Sequence, residues 1–104
     1  MSDDHVIQSA GGAVTVSHGA LAQVVIGSAE AVDGARVRRP RRGLDIDVEN
    51  GSRVRVSLEL AVRYGVVVPE AARDVQRRVA EGLRTMCGLE ADTVDVSVEE
   101  LDGP

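Results

Sequence analysis

Between Leu44 and Val62 the chain alternates apolar and polar residues on both sides of an Asn50-Gly51 pair. Leu44, Ile46 and Val48 alternate with Asp45, Asp47 and Glu49. Beyond the pair, Val54, Val56, Leu58, Leu60 and Val62 share one side, and Arg53, Arg55, Ser57, Glu59 and Arg63 share the other. Alternation with a period of two is the mark of a strand with one dry and one wet face. Asn-Gly supplies the two positive-φ residues of a tight hairpin turn. The pattern therefore predicts a hairpin over 44–62. It also sets Asp45 and Asp47 opposite Arg53 and Arg55, where cross-strand charge pairs stabilise by a few tenths to ~1 kcal/mol. A structural role for these carboxylates thus outweighs an acid–base or cation-binding one.

Other elements follow from the same kind of signal. Residues 1–12 are polar, end in Gly11-Gly12 and read as a flexible lead-in. Ala13-Val14-Thr15-Val16 reads as a short first strand. Ser17 suits a helix N-cap, after which Leu21, Val25, Ser28 and Val32 step at helical spacing, giving a helix over about 18–32 that Gly34 closes. Ala35 to Arg38 begins a strand that Arg39-Pro40-Arg41-Arg42-Gly43 interrupts, because proline cannot donate to a ladder. Pro69 opens a second helix, 69–87, whose stripe of Ala72, Val75, Val79, Leu83 and Met86 is stopped by Gly88. Val94, Val96 and Val98 alternate with Asp95, Ser97 and Glu99 in a last strand, and 101–104 reads as a frayed tail.

The order is β-α-β-β-α-β, with one apolar face per strand. That predicts an α+β two-layer sandwich, a single domain over 13–100, with a four-stranded sheet and both helices on one face. A ferredoxin-like split arrangement satisfies the handedness of crossovers. A KH-like arrangement is the rival topology, but the GXXG loop of a KH domain is missing.

Composition narrows the function classes. Tyr64 is the only aromatic residue, so the core must be aliphatic. The formal net charge of −5 disfavours a coat for nucleic acid or anionic lipid. All twelve basic residues are arginine, the mark of GC-rich coding rather than of a chemistry. Cys87 is the single cysteine, so an intramolecular disulfide is excluded and a reducing cytoplasm suits the chain. No stretch approaches the ~20 apolar residues of a membrane span, so any membrane association is expected to be peripheral.

Several segments in order resemble a known family. Tyr64-Gly65-Val66-Val67-Val68-Pro69-Glu70 is similar to its strand-to-helix junction, and Val75-Gln76-Arg77-Arg78-Val79 to its glutamine-centred helix. Met86-Cys87-Gly88-Leu89 resembles its Met-Thr-Gly-Leu, with Cys87 in place of threonine. Val94 to Val98 resembles its final strand, and Val14 to Ser17 through Val32-Asp33-Gly34 its opening strand, helix and exit. This is the alkaline shock protein family, also called the envelope stress response or general-stress Gls family. The resemblance spans about residues 12–100. It implies a bacterial, non-catalytic protein of the cytoplasm that gathers at the inner face of the cell membrane. Its expected partners are other proteins, among them a small membrane-anchored one and copies of itself.

The candidate site residues are Arg36, Arg38, Arg39, Arg41 and Arg42, five cations in seven positions and richer in arginine than the family pattern. They are expected to touch a partner. The alternative function is a nucleic-acid-binding accessory module that uses this loop, although the cluster lacks the aromatic platforms that usually accompany single-strand binding. Against that stands a solvated loop neutralised by Asp45, Asp47 and Glu49. His5 and His18 are read as incidental, Ser17 as a cap, and Cys87 as a boundary residue at the helix end that does not favour a thiolate. No nucleophile–base pair, phosphate loop or ligand set emerges, so neither an enzyme nor a cofactor is expected.

Overall fold

The computed structural model describes residues 4–38 and 44–103. The elements in chain order are β1 (His5–Ser9), β2 (Gly12–Val16), α1 (His18–Glu30), β3 (Ala35–Val37), β4 (Asp45–Glu49), β5 (Arg53–Arg63), α2 (Val68–Cys87) and β6 (Glu90–Asp102). The fold is the expected α+β sandwich, with a four-stranded sheet of β3, β4, β5 and β6 and a separate two-stranded sheet.

β5 is the spine. Along one edge it pairs antiparallel with β4 from Glu49↔Arg53 to Asp45↔Ser57, then with β3 from Val37↔Leu60 to Ala35↔Val62. These two short strands lie end to end, one on either side of the Pro40 segment. Along its other edge β5 pairs parallel with β6 over its full length, from Arg53↔Glu90 to Arg63↔Asp102. Parallel neighbours need a long crossover, and α2 provides it. The turn between β4 and β5 is the one the sequence predicts: Asn50 and Gly51 have φ of 55° and 70°, and the Ser52 N–H donates to the Glu49 carbonyl at 3.3 Å.

Membership of the main sheet differs from the sequence reading. The strand over 13–16 does not join it. As β2 it pairs with β1, a strand within the segment read as a lead-in. The reason lies in β5, whose two edges are already occupied. β2 also has little to bury, for Val14 is exposed and only Val16 meets the core. The hairpin docks instead on the β4–β5 turn: Ile7 is buried, and the Gln8 N–H donates to the Gly51 carbonyl at 2.8 Å. A Cβ at Gly51 would fall 2.6 Å from Gln8 Cγ and 3.2 Å from the Val6 carbonyl oxygen. Gly51→Ala should therefore both strain the positive-φ turn and lift the β1–β2 hairpin. The expected sign is accelerated amide exchange at Gln8 and Ile7, with β5 left protected.

The core lies between the inner face of β5 and two helical stripes. Val54, Val56, Leu58, Leu60 and Val62 meet Leu21, Val25 and Ala29 of α1 and Val75, Val79 and Leu83 of α2. The α2 stripe begins at Ala71 rather than Ala72 and steps by four, so it leaves Met86 outside, 71 % exposed. Leu89 takes the last core place. Its N–H donates to the Leu83 carbonyl at 3.1 Å, the long bond of a Schellman turn. α1 starts where expected, with Ser17 Oγ accepting from the Ala20 N–H at 3.1 Å. The helices meet closely where Gly82 of α2 faces Ser28 of α1: a Cβ on Gly82 would stand 2.2 Å from Ser28 Oγ. The last strand runs to Asp102, through residues expected to fray, because a bulge between Val98 and Glu100 resets its pairing.

Candidate interaction surface

With both helices on one face, the other face of the main sheet stands open. Its side chains come from alternate positions of β5 and from neighbours on β3, β4 and β6, and they divide it into two halves of different charge.

The half nearest β3 neutralises itself. Arg36, the central residue of β3, donates through Nε to Asp102 at 2.8 Å and approaches Glu100 at 3.4 Å. Arg38 pairs with Glu59 at 3.0 Å and Glu100 at 3.3 Å. Ala61 lies between Arg36 and Glu100 in register and is fully buried beneath them. The hydrogen bond from Arg36 holds the Asp102 carboxyl below its ordinary value of about 3.8, and one from Arg53 does the same for Asp92. A carboxylate depressed in the fold stabilises it above the unfolded pKa, and that contribution fades as pH falls through the folded value. Acid unfolding should therefore draw on both groups below about pH 4. Asp102→Asn should flatten the acid limb of a pH–stability curve, and leave stability at pH 7 to 8 dependent on pH only as in the parent.

Arg36 and Arg38 thus belong to the fold's own ion-pair network, and the other three residues of the predicted cluster, Arg39, Arg41 and Arg42, lie outside the described residues. The sequence could not show this, since the partners of Arg36 are more than sixty positions away.

The half nearest the β4–β5 turn keeps its charge. Asp45, Asp47, Arg55, Ser57, Thr93 and Asp95 line a shallow depression there. The expected opposition holds for one pair, in which Asp47 faces Arg55, whereas Asp45 faces Ser57 and Arg53 faces Glu49. The arginines also turn elsewhere. Arg53 bonds to Asp92, the bulged residue of β6, and Arg55 to Glu49 at 3.2 Å. Among the described residues Asp45, Asp47 and Asp95 have no basic partner. They are three aspartates on two strands, β4 and β6, the most unbalanced charge among the described residues of the sheet.

A single helix side chain meets the backbone of each of two outer strands. Glu30 of α1 accepts the Val37 N–H of β3 at 3.0 Å, and Gln76 of α2 donates to the Val94 carbonyl of β6 at 3.0 Å. Such contacts occupy one backbone group each and locally reduce the pull of an edge strand on other chains.

His5 Nε2 and His18 Nδ1 meet at 3.2 Å and tie the β1–β2 hairpin to the start of α1. The sequence reading missed this contact because it gave residue 5 no structure. Among the described residues no three His, Cys, Asp or Glu side chains converge as metal ligands. Burial pushes the Cys87 thiol above its ordinary value, away from the reactive thiolate.

A model of the alkaline shock protein family, described by its cell envelope-related function, matches residues 3–102. No curated protein matches the chain. Among solved structures, a MamM C-terminal domain with two substitutions is similar at a TM-score of 0.53 and 20% identity, covering 82% of this chain and 95% of that one. A second MamM C-terminal domain, a singly substituted cadmium form, is similar at the same score and identity over 81% and 96%. At that identity the likeness is one of fold. No described helix is long and apolar enough to cross a membrane.

Proposed function

We propose, from the premise that this chain belongs to the alkaline shock protein family of cell envelope-related function, that it is a non-catalytic interaction protein of envelope stress and homeostasis. It works in the cytoplasm, at the inner face of the cell membrane, by binding a small membrane-anchored protein and further copies of itself. The observation that carries this reading is the family match over residues 3–102, joined to a broad sheet face on which Asp45, Asp47 and Asp95 have no ion-pair partner among the described residues. A surface of this kind favours recognition through complementary charge, and the residues around it have no arrangement suited to bond-making. The depression is shallow and lined mainly by charged and hydroxyl side chains, whereas small-molecule sites are concave and mostly apolar. The nucleic-acid alternative draws less support, because Arg36 and Arg38 spend their guanidinium groups on Asp102, Glu100 and Glu59.

Fractionation of the native cell tests the reading. The protein should sediment with membranes and leave them on a high-salt or alkaline wash that retains integral proteins. Light scattering on the purified chain should give a mass above that of the monomer. A protein found only in the soluble fraction, and monomeric at high micromolar concentration, would overturn it.

A further inference from the structure

The chain has two histidines, and the fold brings them together across thirteen positions of sequence. His5 opens β1, and its register partner on β2 is Val16. His18 opens α1, directly after the Ser17 cap. β2 thus runs straight into α1, and the hairpin turn returns the start of β1 to the same place. His5 Nε2 then stands 3.2 Å from His18 Nδ1. The ring centroids are 5.4 Å apart and the planes are inclined by 40°, so the rings meet nitrogen to nitrogen rather than face to face. Both residues are half-buried, which holds them in place and leaves water a path to them.

Two neutral imidazoles at this distance have two uses. One ring donates its N–H to the other, at the long end of the range for such a bond. Alternatively, both turn a bare nitrogen to a shared cation. Nitrogens each about 2.0–2.1 Å from one tetrahedral ion stand about 3.3–3.4 Å apart. The observed spacing is close to that, and the terminal torsion of histidine is broad enough to aim both lone pairs at one point. The exchange releases no proton: the donor ring moves its hydrogen to its other nitrogen, and the pair keeps its charge.

We propose that His5 and His18 form a site for a divalent transition-metal ion that prefers imidazole, such as zinc, and that the ion clamps the β1–β2 hairpin to the head of α1. Imidazole selects zinc, nickel and copper over magnesium and calcium, which take oxygen ligands. No third His, Cys, Asp or Glu side chain converges with the pair among the described residues, so water completes the shell. The positive end of α1 lies beside the ion and opposes it. Two ligands under those conditions make a modest site, with a dissociation constant on the order of 1–100 μM. The clamp does not need high affinity. The hairpin hangs on the chain at Ser17 and on the docking of Ile7 and of the Gln8 N–H against the body of the protein. A metal bridge from residue 5 to residue 18 adds a second attachment beside the Ser17 link, so the hairpin can no longer swing about it. The site is independent of the interaction role given above, and neither stands or falls with the other.

Zinc chloride titrated into the full chain, followed by proton–nitrogen correlation NMR of the imidazole rings, tests the site. With two histidines in the chain, each ring gives its own set of signals. His5 Nε2 and His18 Nδ1 should shift together with one common dissociation constant, and magnesium should move neither. Amide exchange gives the second readout. An ion that binds only the docked hairpin lowers the open population in proportion to its occupancy, so at ten times the dissociation constant exchange at Gln8 should slow about tenfold. His5→Gln and His18→Gln should each weaken zinc binding at least about tenfold and remove the added protection. Cys87→Ser and Asp45→Asn/Asp47→Asn should bind zinc as the parent does, which separates the pair from the chain's other candidate ligands. The ring signals of the parent decide the matter even where a histidine variant loosens the hairpin. Signals that stay in place at ~1 mM zinc, or that shift for one histidine alone, would overturn the site. So would binding that survives both glutamine substitutions. Joint ring shifts with unchanged exchange at Gln8 would overturn the clamp.

Discussion

Leu58→Ala should lower the unfolding free energy by about 3 kcal/mol, within the range for deleting a fully buried leucine. Leu58 is 1 % exposed, midway along β5, and faces the helical stripes between Val56 and Leu60. The core here has no phenylalanine or tryptophan to slide into a vacated space. Valine is its commonest residue, and a β-branched side chain has few alternative rotamers in a strand. The cavity should therefore persist, which keeps the cost within that range. Urea unfolding followed by circular dichroism measures it. A loss under about 1 kcal/mol would mean that the helices collapse onto the gap, and that this core is softer than its packing indicates.

The second large effect is expected at the helix–helix contact. Gly82→Leu should destabilise by about 2–3 kcal/mol, the usual scale of overpacking. A side chain there enters space held by Ser28 Oγ and Val24 Cγ1. The helices then have to separate, and they cannot do so without loosening Val25 and Val79 from β5. On an exposed helix the same change would stabilise, since leucine is the better helix former by ~1 kcal/mol; the sign therefore reports the contact. Ser28→Gly in the Gly82→Leu background should return part of the loss, and the double-mutant coupling should be clearly favourable. Additive effects would place the cost somewhere other than this contact.

What could be read from the sequence was what depends on near neighbours. The Asn50-Gly51 turn, the alternation of β5, the Ser17 cap and the Gly88 stop are all written within a few residues of where they act, and all four hold. The end-to-end placement of β3 and β4 against one edge of β5 was not legible, because it depends on a long-range pairing. β2 was legible as a strand, but β1 and its pairing with β2 were not, for a similar reason. What orders β1 lies far along the chain: burial of Ile7, a hydrogen bond to the Gly51 carbonyl and the His5–His18 contact. At the surface, the arginine cluster drew attention by its density. Density says nothing of partners, and two of its members are held by carboxylates at the far end of the chain. The three aspartates without basic partners were visible as residues, but their isolation depends on where Arg53 and Arg55 turn. Only the three-dimensional register reveals that.

The parallel pairing of β5 with β6 has a consequence for synthesis. β5 is translated well before the strand that completes it: Arg53 pairs with Glu90, and Arg63 with Asp102. A nascent chain halted after α2 holds the β4–β5 hairpin with one whole flank of its central strand still unzipped. Non-local pairing of this kind is slow to close and leaves sticky intermediates. Cotranslational folding should therefore be abrupt: protease-sensitive until residues 90–102 clear the ribosomal tunnel, and resistant soon after.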